Sequence, residues 1–516
     1  MNKTTTNEVR EEARFLDVLT ACWTKACRDG ADGAQSRFRE HLRARLGIDD
    51  RRVTALVSGF EALAEYVVGD LSDGDALDEE ESAIAASRKV VLPALQARIQ
   101  ARLDRIDASK PVVCCTCCGQ PAPSEGFRTR SWDSTLGTLR LTRRYNYCAA
   151  CGGGRALAQE RVGLGEDPRT PRLAEAITKL ATVVPYQMAV GLASSLMGVD
   201  VSVRAAERLV NARAEHVVAA ITAEAEQLDP FDASGLQRRI ERPADAVARP
   251  PTTAYLEMDG VFAMTRQLDP DRSRPADPGA RGGHGRRYQM LGREVKNAVL
   301  YTDADCARES PTRGCLLDKR YVSHLGPWRE FARRVWPTLI RLRFDQAERL
   351  VVLSDGARWI RDFCAWLPFK VLMILDLFHV KHRIWEVARA LHPDDPTAAA
   401  RWAHEQIDRV ERGRADAVVQ SLGFLRAAGA TARKLVEDLQ TYLRNNLDRM
   451  DYPSYRAMGL RVGSGAVESA NYHVTGSRLK LQGMRWSDDG AGDMAVLRAD
   501  LFNGNWRART REMLAA

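Results

Sequence analysis

"RLVVLSDGARWIRDF", residues 349–363, decides how the rest of the chain is read. Leu350 to Leu353 is a short apolar run of the kind that forms a strand buried on both faces. The run ends at Asp355-Gly356, and helical spacing of apolar residues starts near Ala357. Alone, an Asp-Gly pair at this place is a turn or a helix cap. Downstream, "FKVLMILDLFHVKHRIWEVARAL" again reads as strand, Asp376, helix. Upstream, "TAYLEMDGVFAMTR" carries Asp259 near the middle of an apolar strand, where a charge needs a partner.

The segments between complete a pattern. "REVKNAVLYTDAD" alternates as a second strand, "KRYVSHLG" makes a third, and "PWREFARRVWPTLIRL" has helical periodicity. The order is three strands, helix, strand, helix, strand, helix. Three strands form a meander, and the later units add parallel strands beside it. With the first strand central, Asp259 and Asp355 approach at one edge of the sheet. Two bare carboxylates so placed resist joint ionisation. A divalent metal removes that conflict, and Mg²⁺ prefers oxygen ligands and substrate phosphate. Two such ions, about 3.5–4 Å apart, clamp the attacking and leaving oxygens of a phosphoryl displacement. A third carboxylate is then needed. Glu468, in "RVGSGAVESANYHVTGSRLKLQGMRW", falls in the first turn of a helix after Gly463-Ser464-Gly465. Arg478, Lys480 and Arg485 follow it and suit a DNA strand passing the metals.

"MDG", "LSDGARWI", "LDLFH", "VGSGAVESANY" and "SRLKLQGMRWS", in that order, resemble the DDE transposases of bacterial insertion sequences. The ISKra group is the closest, with a likeness to Mutator-like transposases. The resemblance spans about residues 112–510 and implies an RNase H-like catalytic core with a triad of Asp259, Asp355 and Glu468. It implies an all-helical insertion before the glutamate, and an accessory place for Asp376 and His379, the Asp-x-x-His element after the next strand. The expected activity is Mg²⁺- or Mn²⁺-dependent cleavage at transposon ends, using two ions, and transfer of the 3′-OH into target DNA. Two alternatives remain: an idle transposase-derived DNA-binding protein, and an RNase H-like nuclease without strand transfer.

Six of the eleven cysteines lie in two short windows. Cys115-x-x-Cys118 and Cys148-x-x-Cys151 flank "RTRSWDSTLGTLRLTRRYNY", which alternates like a hairpin, and the spacing is that of a zinc ribbon holding one structural Zn²⁺. Cys114-x-x-Cys117 is an overlapping register for the first pair. Arg128, Arg130, Arg143 and Arg144 make the hairpin a candidate DNA contact. In residues 171–216 a helix ends at Gly198, "VDV" turns, and Ser202 can cap the next helix. That is a helix-turn-helix pattern, with Arg204 and Arg208 as candidate contacts.

The expected organisation is therefore multidomain. It comprises a helical N-terminal region (1–110), zinc ribbon (111–165), helix-turn-helix region (166–225) and linker (226–252). An α/β RNase H-like core follows (253–384 and 461–516), interrupted by the helical insertion (385–460). A net charge of +8 fits a polyanionic partner without proving one. Double-stranded DNA, as terminal inverted repeats and target, is the expected partner, bound by a homodimer that unites two ends. No membrane span is expected, and the charged N-terminus lacks the apolar segment of a signal peptide. A bacterial, nucleoid-associated cytoplasmic location follows as the default.

Overall fold

The computed structural model describes residues 33–46, 53–54, 57, 92–109, 113–230, 242–269, 288–308 and 314–515. Most of the expected helical N-terminal region, residues 231–241 of the linker and residues 270–287 lie outside the described residues. The chain divides into two units, residues 1–181 with 186–206, and residues 182–185 with 207–516. Together they make a mixed α/β protein rich in helix. Among the described residues, no helix is long and apolar enough to cross a membrane.

In the first unit, helices α1 (Ala34–Leu46) and α2 (Leu92–Ala108) precede a hairpin of β1 (Ser124–Ser134) and β2 (Gly137–Tyr147). A two-residue strand, β3 (Gly154–Arg155), pairs with β2, followed by α3 (Leu157–Arg161). The hairpin alternates because one face is covered: Trp132, Leu139 and Leu141 pack with Leu103 of α2 and Ala158 of α3. Helices α4 (Pro171–Val183) and α5 (Tyr186–Met197) follow, and α6 (Val203–Gln227) begins here and runs on in the second unit. Gly198 adopts φ +64° just after α5, and Ser202 accepts from the Ala205 amide at 3.2 Å, so the expected stop and cap are both present.

The second unit centres on a five-stranded mixed sheet. Its strands are β4 (Thr253–Leu268), β5 (Tyr288–Thr302), β8 (Arg320–Leu325), β9 (Arg349–Ser354) and β10 (Leu372–Leu375). A small hairpin, β6 (Cys306–Arg308) and β7 (Gly314–Leu316), which the sequence pattern did not foretell, lies between β5 and β8. The sheet order is β10-β9-β4-β5-β8. β4, β5 and β8 form an antiparallel meander, whereas β9 and β10 run parallel to β4.

Both faces are covered, which is why β4 and β9 are nearly continuous apolar runs. Ala254, Leu256, Met258, Leu350 and Val352 face α7 (Trp328–Arg341) and α8 (Arg358–Trp366). Tyr255, Val351 and Leu353 face the other layer, with α9 (Leu377–Leu391). That layer continues through α10 (Pro396–Glu411), α11 (Ala415–Phe424), α12 (Ala430–Arg444) and α13 (Tyr452–Ala457). Residues 385–460 thus hold helices and turns and no strand. The chain then returns through α14 (Gly465–Ala470), a π-helical turn (Asn471–Gly476), α15 (Ser477–Leu479), α16 (Asp488–Phe502) and α17 (Trp506–Ala515).

Candidate active site and cysteine cluster

The period of two along a strand puts residues 255, 257 and 259 on one face of β4, and 351, 353 and 355 on one face of the β9 segment. Parallel pairing joins Tyr255 to Val351, Glu257 to Leu353 and Met258 to Ser354. One step further, Asp259 and Asp355 stand side by side where β9 ends, aimed at the layer that holds α9 and α14. Asp259 Oδ1 accepts from the Gly260 amide at 2.7 Å, and Oδ2 from Asn471 Nδ2 at 2.6 Å. Burial and the nearby Asp355 charge push the Asp259 carboxyl up to about 6. Asp355 Oδ1 accepts from the Ala357 amide at 2.9 Å, and the Tyr442 hydroxyl donates to its carbonyl at 2.8 Å. Asp355 thus closes the turn before α8, whose N-cap is Ala357 with no side-chain cap, and this turn role is compatible with a place beside Asp259.

α14 is tied to β4 at several points. Glu257, wholly buried, accepts from the Val467 amide at 2.9 Å and from the Tyr301 hydroxyl at 2.5 Å. Burial raises its carboxyl to about 7. Asn297 lies opposite Asp259 across the β4–β5 ladder. It donates to Asn471 Oδ1 at 2.7 Å and to Thr475 at 3.0 Å, and accepts from Ser323 at 2.6 Å. This chain of amides fixes the Asn471 side chain with its nitrogen toward Asp259. Glu257, Asn297 and Tyr442 escaped the sequence reading, because a single polar residue in a strand or helix has no periodic signature. For Glu257 there was a signal: a second carboxylate, two residues before Asp259, inside an apolar run.

Glu468 is half-exposed on α14, and its Oε1 lies 3.7 Å from His379 Nδ1. The same nitrogen is 2.9 Å from Asp376 Oδ2. The metal-binding atoms of Asp376, His379 and Glu468 all lie within 4.8 Å of one another. Asp376 is fully buried and caps α9 through the Phe378 amide at 2.7 Å, while Ser464 donates to its other oxygen. The hydrogen bond from His379, and those from Ser464 and Phe378, overcome burial and hold the Asp376 carboxyl below its usual value. With three donors on its oxygens, one of them His379, Asp376 orients that imidazole. His379 is raised above the ordinary imidazole value, first by Asp376, and further by the charges of Asp355 and Asp259. Glu468, His379, Asp259 and Asp355 thus share one electrostatic neighbourhood. Oxygen donors predominate there, the donor chemistry that Mg²⁺ and Mn²⁺ accept.

Residues 307–514 match the model of an uncharacterised protein family, UPF0236. No curated protein matches the chain. The matched stretch contains Asp355, Asp376, His379 and Glu468 and begins after Asp259. A family without a described activity leaves the functional reading to the geometry.

The cysteine windows also converge. The sulfurs of Cys115, Cys118, Cys148 and Cys151 form one group that can hold a metal, with Cys115–Cys151 at 3.4 Å and Cys118–Cys148 at 3.5 Å. Tetrahedral Zn²⁺ with bonds of about 2.3 Å needs sulfurs only slightly further apart, roughly 3.8 Å. The Cys115/Cys118 register, and not Cys114/Cys117, enters the group. Each knuckle turns through a glycine in the left-handed region, Gly119 at φ +71° and Gly152 at φ +74°, which explains the shared Cys-Gly ending. The amides of Cys118 and Cys117 pull the Cys115 thiol down to about 6, toward the thiolate a metal requires.

The arginines divide. Arg128, Arg204, Arg208, Lys480 and Arg485 are exposed, and Arg130 and Arg144 half-buried. Arg128 lies 3.0 Å from Glu125, and Arg130 2.8 Å from Glu166. Two expected DNA contacts are corrected. Arg143 is buried and donates to Gln159 at 2.8 Å and to the Arg128 carbonyl at 2.8 Å, bracing the hairpin from within. Arg478 is fully buried, its guanidinium over the Trp486 ring at 4.8 Å. Neither presents its charge to a ligand.

Proposed function

We propose that this chain is a DDE transposase: it cleaves DNA at the ends of a mobile element and transfers the resulting 3′-OH to target DNA. The observation that carries the reading is the parallel pairing of β4 with β9, which puts Asp259 beside Asp355; Glu468 lies 3.7 Å from His379, whose imidazole feels both aspartates, and this supports a place for it in the same site. The β10-β9-β4-β5-β8 order, with helices on both faces, supports an RNase H-like core, and the strand-free stretch 385–460 supports a helical insertion.

Asp259, Asp355 and Glu468 would hold two Mg²⁺ or Mn²⁺ ions. When bound, such ions supply Lewis acidity and an activated water. The protein's own part is positioning. The Gly260 amide and Asn471 each take one lone pair of Asp259, and the Ala357 amide one of Asp355, which leaves the remaining carboxylate lone pairs directed for metal. His379, held by Asp376, faces Glu468 and offsets the clustered negative charge. We read the cysteine group as a zinc ribbon and α5–α6 as a helix-turn-helix, both serving terminal-repeat DNA, with Arg204 and Arg208 on the exposed side of α6. A dimer would bring two ends together.

The test is cleavage of labelled element-end DNA with and without Mg²⁺, followed by a strand-transfer assay. Asp259→Asn, Asp355→Asn and Glu468→Gln should each abolish both steps while DNA binding persists. Cutting at the wild-type rate by one variant would remove that residue from the triad. Cutting without joining would favour a plain nuclease, and binding without cutting by wild type an idle derivative.

A further inference from the structure

A cleft of about 930 Å³ opens beside the Asp355–Gly356 turn, lined by the start of α8, by α9 and by the end of α12 with the turn after it. Five arginines reach it, Arg358, Arg361, Arg383, Arg444 and Arg449, against only Asp438 and Asp448. The excess of positive charge in a concave site concentrates anions.

Arg449 singles the cleft out. It is 3% exposed, and its Nη1 has no hydrogen-bond partner. Its Nη2 donates to Asn446 Oδ1, and its Nε lies 3.8 Å from Asp448, beyond a hydrogen bond. Burial and Arg361 make its charge costly, pulling the guanidinium below its ordinary value. A buried cation with an unused donor gains a strong charge-assisted hydrogen bond when an anion completes it. The rim is poised likewise. Arg358 and Arg444 are exposed, and among the described residues neither side chain has a partner. The wall is continuous with the candidate active site: Arg383 stacks over the Tyr442 ring at 4.3 Å, and the Tyr442 hydroxyl holds the Asp355 carbonyl.

We propose that this cleft binds backbone phosphates of the DNA strand that passes Asp355, one phosphate meeting Arg449 inside and its neighbours meeting Arg358 and Arg444 at the rim. The proposal rests on the transposase reading. It makes the helical segment a strand clamp that sets the position of the scissile phosphate, and Asn446 and Tyr442 carry the register of that clamp to the Asp355 turn.

The experiment is fluorescence anisotropy of a labelled DNA duplex across a salt series, with the full-length chain and no metal added. Arg358→Gln with Arg444→Gln should weaken binding about tenfold or more and lower the salt slope by about two. The charge-matched control, Arg401→Gln on the exposed side of α10 with Arg412→Gln at its C-cap, should change neither quantity. Arg449→Gln should weaken binding at unchanged helix content, and Arg449→Lys should restore part of it. Because the rim variant alters only exposed side chains, it remains decisive if Arg449→Gln fails to fold. Equal binding by wild type and the rim variant overturns the clamp and leaves the cleavage reading standing. Wild type that binds no duplex overturns the clamp as well. Weakened binding by the cleft variants, together with wild type that never cleaves with Mg²⁺, supports the clamp and rejects the transposase.

Discussion

Asn297 is buried with both amide atoms engaged, yet the position of Asp259 depends on it. Its two amide atoms serve Asn471, Thr475 and Ser323 in a buried network, so no other side chain can replace it without leaving a polar group unmet. Asn297→Ala should cost about 2–3 kcal/mol, from the orphaned hydroxyls and the lost bond to Asn471. It should also slow cleavage by an order of magnitude or more, since Asn471 would no longer be held against Asp259. Urea denaturation reads the first effect, and cleavage kinetics at saturating metal the second. A stability loss without a rate loss would mean that Asn471 finds its pose unaided. His324 gives a separate test at the same scale. Burial, with Arg334 and Lys296 nearby, lowers its imidazole to about 3 and outweighs the exposed Glu330 at 3.2 Å. The folded value lies below the unfolded one, so the stability is fully present above about pH 6.5 and is lost as pH falls toward 3. In that window each pH unit costs about 1.4 kcal/mol. Thermal unfolding between pH 7 and 5 should fall less steeply for His324→Gln than for wild type; parallel slopes would exonerate the histidine.

Among elements, the β9–α8 turn bears the tightest constraint. Gly356 sits at φ +94°, and a Cβ there would come within 2.9 Å of Leu375 Cδ1 and 3.1 Å of Asn446 Oδ1. Gly356→Ala should therefore destabilise by about 1–3 kcal/mol, from left-handed backbone strain and the crowded Leu375. It should shift the Asp355 turn as well, so the loss of activity should exceed that of Tyr442→Phe, which removes one hydrogen bond worth about 1 kcal/mol. Chemical denaturation and cleavage rates on the two variants decide the order. This turn was legible in the sequence, because apolar run, Asp-Gly and helical spacing are local signals. The register that makes Asp355 the neighbour of Asp259 was inferable only from strand order. The helix bearing Glu468 was legible, but its anchoring was not: Asn471 and Asn297 are 174 residues apart and meet through tertiary packing alone. Arg478 misled for a related reason. A basic run reads as a solvated face, and its burial depends on Trp486, which itself bridges to Thr265 of β4.

At the scale of the whole molecule, the two units draw on different sources of stability. The second unit has two large apolar clusters, one on each side of its sheet. Around the cysteines the core is only Val113, Cys115, Ala122 and Cys148, with Leu157 against it. So small a cluster cannot offset the ordering of its loops, and a thiolate-bound metal would supply the difference. Zinc removal should therefore unfold the two cysteine knuckles, residues 113–122 and 148–153, while the β1–β2 hairpin keeps its own apolar cluster. The measurement is hydrogen exchange on the full chain before and after chelation, with zinc loss verified by elemental analysis. Amides of Gly119 and Gly152, each bonded across its knuckle to the carbonyl of Cys115 or Cys148, should lose protection. Those of Tyr255 to Met258, in the middle of the five-stranded sheet, should keep it. Cys118→Ser and Cys148→Ser should reproduce the chelated state, whereas Cys114→Ser with Cys117→Ser should still bind one zinc per chain, because those thiols stand outside the group. Protection of the knuckles that survives verified zinc loss would mean that hydrogen bonds and the small core suffice there.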